Sequence, residues 1–227
     1  MRLRCISTLT AAMADPEELT EAVRTIIGET LICQKDANKK SRQAANDLLR
    51  SLVVRVPGNV MFSLLCSALV GETTVMRSSA VVALSLLLLE RRSDVQLLQE
   101  AVKLLPLVTM LLREGSVEQN RAVLTYIRVC ASLLSSGELS QVLPIISQSL
   151  FSGLGDSKNK FMKRIRAIMR KVMRKLSPDD VRAVVPDSDL PLLEYIDKQE
   201  RRTRRKEGGG EDEDAGSFLD LISDSFL

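Results

Sequence analysis

A two-helix pattern that recurs about every 40 residues constrains the fold of this chain more than any other feature. Apolar residues recur at helical spacing from Pro16 to about Arg205, and short polar or glycine-containing turns interrupt them. A basic residue recurs near the start of the second helix of each pair, at intervals of 35, 44 and 43 residues: Arg42, Arg77, Arg121 and Arg164. Such a period predicts stacked helix pairs, because a single pair cannot bury its apolar face alone.

Two prolines and the scarcity of aromatic residues support this interpretation. Pro106 and Pro144 lie 38 residues apart within the first helix of their pairs. Aromatic residues make up 3% of the chain and Trp is absent, which favours helix-on-helix packing over a β-sandwich. The sequence therefore predicts an all-α fold, an α-solenoid of paired antiparallel helices of the HEAT or armadillo type. A helical bundle without solenoid stacking remains the alternative.

The distribution of charge predicts four segments along the chain. Residues 1–14 form an N-terminal extension, a frayed first helix rather than a short mitochondrial presequence, and residues 15–157 hold the HEAT-like repeats. Residues 158–206 form a basic C-terminal helical module with a net charge of +9. Residues 207–227 carry a net charge of −7 and form a disordered acidic tail.

The basic module begins with the strongest charge anomaly of the chain. Nine basic residues and no acidic residue lie between Lys158 and Lys175. A one-sided apolar stripe runs through the same segment with spacings of 4, 3, 4 and 4 residues: Phe161, Ile165, Ile168, Val172 and Leu176. We expect the helix to dock through this stripe and to present a positive ridge outward. The candidate RNA-binding residues on that ridge are Lys160, Lys163, Arg164, Arg166, Arg170, Lys171, Arg174 and Lys175.

A solvated surface is the ordinary explanation of a charge run, but solvated helices usually mix both signs. The absence of acidic residues therefore favours a polyanion as partner, with a membrane surface or calmodulin as weaker alternatives. No stacking or base-reading module is visible in the sequence, so we expect contacts to the backbone and shape of a nucleic acid rather than to its bases. A second basic cluster predicts a nuclear localisation signal: Arg201, Arg202, Arg204, Arg205 and Lys206.

Other residue types exclude most catalytic chemistry. The chain has no His, no CxxC pair and no phosphate-binding glycine loop, so neither an enzyme, a cofactor nor a metal site is expected. The four cysteines, expected to be buried reduced thiols, are Cys5, Cys33, Cys66 and Cys130. No membrane segment is expected either, because the longest apolar run, Ala80–Leu89, is shorter than the roughly 20 residues of a span.

Two stretches of the chain resemble the ribosomal RNA-processing protein 12 family. The segment Glu29–Leu52 is similar to a family repeat. The basic module resembles the family's C-terminal region, in which a Phe-led basic helix, a short helix ending in Val-Pro and a Leu-rich helix lead into Arg/Lys clusters. The positions that carry this second resemblance are Phe161, Ile165, Arg166, Ile168, Arg174, Asp180, Val181, Val185, Pro186, Leu192, Leu193 and Ile196.

The resemblance implies a HEAT-repeat scaffold of the nucleolus and nucleus. It would act in maturation or export of the small-subunit pre-ribosome and contact pre-rRNA and assembly factors, with no small-molecule substrate. Family members are much longer, and the resemblance covers only their C-terminal portion. The rival hypothesis is a karyopherin-like adaptor that binds protein partners, in which the basic run serves only as an import signal.

Overall fold

The computed structural model describes residues 2–114 and 116–207, without the side chains of Glu114 and of residues 203–207. The described residues contain no β-strand, and their α-helices are α1 (Arg2–Ala12), α2 (Pro16–Cys33), α3 (Lys39–Arg55), α4 (Gly58–Ala68), α5 (Thr74–Glu90), α6 (Val95–Met110), α7 (Val117–Leu133), α8 (Ser136–Gln148), α9 (Met162–Lys175), α10 (Pro178–Val184) and α11 (Leu190–Glu207). The predicted all-α fold class is confirmed, and the HEAT type of its repeats stays a prediction.

Short irregular helical segments adjoin four of these helices. A 3₁₀ segment, Leu111–Glu114, follows α6, and a π-helical segment, Ser149–Gly153, follows α8. A further 3₁₀ segment, Gly155–Phe161, leads into α9, and Asp187–Asp189 leads into α11. Pro106 and Pro144 lie inside α6 and α8, as the sequence predicted.

Capping residues fix the starts of several helices. The Asp15 carboxylate accepts a hydrogen bond of 2.9 Å from the Glu17 amide at the start of α2. The Asn38 side chain does the same for the Lys40 amide at the start of α3. Such caps satisfy amides that have no partner within the helix.

The first of two compact units ends at Leu97. In this unit α3 packs against both α1 and α5, while α2 and α4 pack against each other and against their following helices. The helices therefore alternate between two layers in chain order. α5 is apolar on nearly all sides, and every residue from Ser78 to Leu88 is buried.

The second unit begins at Leu98 and holds the basic module. Here α9 packs against α7 and α11, and α10 packs against α8 and α9. The Tyr126 hydroxyl on α7 is buried and donates a hydrogen bond of 3.1 Å to the Ala101 carbonyl oxygen on α6. This hydrogen bond satisfies a polar atom that would be costly to bury alone.

The recurring arginines make the same contact in two successive repeats. Arg42 on α3 donates to the carbonyl oxygens six and five residues earlier, at 2.9 and 3.1 Å. Arg77 on α5 donates to the carbonyl oxygens at the same two positions, at 2.7 and 2.9 Å. The other two differ, because Arg121 is exposed and Arg164 donates to the Thr125 hydroxyl at 3.4 Å. The sequence repeat thus marks a true structural repeat in its first two copies.

A second recurring contact, which the sequence did not predict, ties neighbouring helices of one layer together. A basic residue at the end of one helix donates to the carbonyl oxygens at the end of the helix two before it. Arg55 does so from α3 to α1, Arg91 from the end of α5 to α3, and Lys175 from α9 to α7. A cation is favoured there because the last carbonyl groups of a helix lack partners and carry partial negative charge.

Two expectations from the sequence need correction. Cys130 is buried, but Cys33 and Cys66 are partly exposed and Cys5 is exposed, so burial of all four thiols was wrong. The longest apolar run, Ala80–Leu89, is not the segment most suited to a membrane, because Val95–Arg113 is long and apolar enough to cross one by length and composition. Only 33% of that segment is buried, and core helices of soluble proteins pass the same criterion.

Candidate nucleic-acid interface

The apolar stripe of the basic module forms its attachment to the rest of the second unit. Phe161, Ile165, Ile168 and Val172 are buried as predicted, whereas Leu176 is only partly buried. Met169 is also fully buried and was not included in the predicted stripe. It lies four residues after Ile165 and therefore on the same helical face.

The basic residues on the rest of α9 do not form the uncompensated ridge that the sequence suggested. Arg170 Nε lies 2.8 Å from one carboxylate oxygen of Glu200, and Arg174 Nε lies 3.1 Å from the other. Glu200 belongs to α11 and its side chain is 16% exposed. The acidic partner thus comes from a helix that is 26 to 30 residues distant in sequence, which a local charge count cannot reveal.

Two lysines at the ends of the run are also engaged. Lys158 Nζ lies 2.6 Å from the Asp189 carboxylate and 5.2 Å from the centre of the Phe151 ring. Lys175 Nζ donates to the carbonyl oxygens of Ser132 and Leu134 at 2.6 and 2.8 Å. Burial, and next the charge of Lys171, lower the pKa of Lys175. Both lysines bind groups of this chain next to α9, so they are less suited than the unpaired cations to bind an external anion.

An aromatic side chain that was not among the predicted site residues lies within the basic module. The Arg166 guanidinium lies over the Tyr195 ring, 5.0 Å from its centre. The Gln199 side-chain amide donates to the Tyr195 hydroxyl at 2.6 Å. Tyr195 nevertheless remains 45% exposed. The sequence alone held a signal, because Tyr195 is one of only two tyrosines and lies in the helix that leads into the Arg/Lys cluster.

The exposed cations of the module lie on two helices and on the segment before α9. Lys160 is exposed on the 3₁₀ segment before α9, and Lys163 is exposed in the first turn of α9. Lys198 and Arg202 are exposed on α11. No hydrogen bond or ion pair joins any of these four side chains to another side chain that the structure describes. We refer to Lys160, Lys163, Lys198 and Arg202 as the open cation set. Two of its members were predicted, and the two on α11 were not among the candidates for RNA contact.

The remaining candidates lie partly outside the described side chains. Arg201 is exposed and its guanidinium lies 2.8 Å from the Asp197 carboxylate. α11 continues through Arg204–Lys206, whose side chains lie outside the described residues, as does the predicted acidic tail from residue 208 onward. Over the residues that the structure does describe, no three His, Cys, Asp or Glu side chains are grouped to hold a metal ion.

Comparison with curated proteins reveals related sequences. The chain is 22% identical over 232 residues to ribosomal RNA-processing protein 12 of Saccharomyces cerevisiae, which covers 91% of this chain and 18% of that protein. It is 24% identical over 213 residues to the RRP12-like protein of Homo sapiens and 25% identical to that of Gallus gallus, each covering 90% of this chain and 16% of the relative. The resemblance to the ribosomal RNA-processing protein 12 family is confirmed.

No family model matches the chain. The chain spans about a sixth of the length of the curated ribosomal RNA-processing protein 12 relatives that it matches. In the basic module, most positions that carry the family resemblance are buried: Phe161, Ile165, Ile168, Val181, Val185, Leu193 and Ile196. The resemblance there therefore reflects mainly the packing of α9, α10 and α11. The two matching arginines, Arg166 and Arg174, contact Tyr195 and Glu200.

Proposed function

We propose that this chain is a non-catalytic scaffold segment in ribosome biogenesis that binds RNA through its basic module. The observation that carries the proposal is the open cation set, which lies on a module of net charge +9 and has no acidic partner among the described side chains. Unpaired lysines and arginines can neutralise phosphates and release their counterions, which is the main source of affinity for nucleic acid. The names of the relatives direct the proposal to ribosomal RNA.

The structure changes which residues a test should alter. Reversing the charge of Arg170 or Arg174 would place an acidic group against Glu200 and disturb the packing of α9 on α11. Loss of RNA binding would then report loss of structure. The open cation set avoids this problem, because its side chains are exposed and exposed substitutions usually change stability little.

A salt titration of RNA binding by the full chain tests the proposal. We expect the affinity of the wild type for a structured RNA to fall steeply with salt concentration. Changing the open cation set to Glu should reduce the slope of log affinity against log salt by about 3, the value for four phosphate contacts. The matched control carries four changes to Glu at exposed cations elsewhere: Lys39, Lys40, Arg92 and Arg121. Equal loss in both variants, or no binding by the wild type, would contradict the proposal.

We also propose that the bound RNA is pre-rRNA and that the setting is the small-subunit pre-ribosome with its assembly factors. This part rests on the family resemblance. Cross-linking the chain to RNA in cells and sequencing the attached fragments tests it, with enrichment of pre-rRNA spacer and small-subunit sequence as the expected result. Recovery of messenger RNA alone, or of protein partners without RNA, would favour the adaptor hypothesis instead.

Localisation to the nucleus and nucleolus, with shuttling to the cytoplasm, is proposed on the basis of the basic cluster near the end of α11. Arg201 and Arg202 are exposed there, as an import receptor would require. Deleting Arg201–Lys206 should move a fluorescent fusion of the chain into the cytoplasm. The control is the four-residue change at Lys39, Lys40, Arg92 and Arg121, which should leave nuclear accumulation intact. Unchanged localisation after the deletion would refute this part.

A further inference from the structure

Of the two tyrosines in the chain, Tyr195 is the exposed one, and it lies within the basic module. The other tyrosine, Tyr126, is fully buried and hydrogen-bonded. Tyr195 lies on α11, where its neighbours Leu193 and Ile196 are buried and hold the helix in place. The residue remains 45% exposed on the basic module, next to the exposed Glu194.

The Tyr195 ring is held in a fixed orientation by two side chains. Arg166 from α9 covers one face of the ring at 5.0 Å from its centre. Gln199, one turn further along α11, donates to the hydroxyl at 2.6 Å. Because Arg166 covers one face and the residue is 45% exposed, we infer that the opposite face of the ring is the accessible one. A ring that is already oriented loses little conformational entropy when a planar group stacks on it.

Cations lie on both sides of this ring along the two helices. On α9, Lys163 precedes Arg166 by three residues and therefore lies one turn away on a neighbouring part of the surface. On α11, Lys198 and Arg202 follow Tyr195 by three and seven residues, one and two turns further on. A nucleotide with its base on the ring would thus have its flanking phosphates within a region of positive charge.

We propose that Tyr195 is a stacking platform for an unpaired base, so that the module binds single-stranded or looped RNA in preference to duplex. The inference rests on the proposed RNA-binding function and specifies the class of RNA. Bases in an A-form duplex are stacked on one another and their edges lie in a narrow groove, so they cannot reach a tyrosine face. Stacking on an aromatic side chain is tolerant of base identity, which fits a sequence in which no base-reading module is visible.

Substitution of Tyr195 separates this inference from the function on which it rests. Tyr195→Leu should weaken binding of a single-stranded oligonucleotide about tenfold, because it removes the stacking surface. The salt slope should not change, since no phosphate contact is lost. The matched control is Tyr195→Phe, which keeps the ring, loses only the hydroxyl bond to Gln199, and should bind within about twofold of the wild type. A thermal unfolding curve for each variant confirms that it is folded.

Nuclear magnetic resonance of the tyrosine rings provides a direct readout. The chain has two tyrosines, so ring-labelled protein gives two assignable sets of signals, and Tyr195→Phe identifies one of them. A stacked base should shift the Tyr195 ring protons upfield and leave those of Tyr126 unchanged. Salt-dependent RNA binding with an unmoved Tyr195 signal, or equal affinity for duplex and single strand, would overturn the stacking inference. It would leave the proposed RNA-binding function intact. Absence of RNA binding by the wild type would overturn both proposals.

Discussion

Arg170 Nε lies 2.8 Å from the carboxylate of Glu200, and this ion pair joins α9 to α11. The same carboxylate also lies 3.1 Å from Arg174. One acidic residue therefore offsets the repulsion between two cations that are four positions apart on one helix. The charge anomaly of the sequence is in part a means of attaching α11, and the surface left for an anion is smaller than the sequence suggested.

Removal of the Glu200 charge should destabilise the protein. We expect Glu200→Gln to lower the free energy of unfolding by about 1 kcal/mol, because two partly exposed guanidinium groups lose this ion pair. Screening should make the difference smaller in concentrated salt. Urea unfolding at low and high salt measures both effects. Glu194→Gln is the control, as Glu194 is exposed on the same helix and should change stability little.

Removal of the Arg91 guanidinium should leave carbonyl groups at the end of α3 without donors. Arg91 donates to the carbonyl oxygens of Val54 and Val56 at 2.7 and 3.0 Å. Arg91→Ala should therefore lower the free energy of unfolding by about 2 kcal/mol. The neighbouring Arg92→Ala is the control, since Arg92 is exposed, and should stay within about 0.5 kcal/mol of the wild type. Equal effects of the two changes in chemical unfolding would refute a capping role for Arg91.

The capping box at the start of α8 should make stability depend on acid pH. Hydrogen bonds from the Ser135 side chain and then its backbone amide lower the pKa of Glu138. A carboxyl group whose pKa is lower in the folded state contributes stability above its unfolded pKa of about 4.3, and this contribution is lost as the pH falls through the folded pKa.

Ser135→Ala should return the Glu138 pKa towards its ordinary value and destabilise the protein by about 1 kcal/mol at neutral pH. The difference from the wild type should shrink between about pH 5 and pH 3. Urea unfolding across this range tests it, with Ser136→Ala, a change at an exposed neighbour that makes no cap bond, as the control. A difference that stays constant with pH would exclude a contribution from Glu138.

Cys130 should be unreactive in the folded protein. Burial raises the pKa of its thiol to about 12, so its thiolate fraction near pH 8 is about a thousandfold below that of an ordinary thiol. Alkylation followed by peptide mass spectrometry should modify the exposed Cys5 first and Cys130 only after unfolding in urea. Modification of both at similar rates in the native protein would show that Cys130 is accessible.

The helices and their limits could be read from the sequence because their causes are local. Apolar spacing, caps such as Asp15 and breaks such as Pro57-Gly58 act within one or two turns, and the helices of the described chain lie close to where these signals place them. The apolar stripe of α9 was predictable for the same reason, as was the recurrence of Arg42 and Arg77.

The partners of the charged residues could not be read from the sequence, because they depend on which helices become neighbours. Glu200, Asp189 and the carbonyl groups at the end of α7 reach the basic run only after α11 and α7 pack against α9. Tyr195 became a candidate contact for the same reason, since Arg166 meets it across that packing. The sequence by itself determined the all-α architecture and the excess of positive charge. The tertiary structure decided which of those charges remain open to a partner, because ion pairing depends on distance in space and not on distance along the chain.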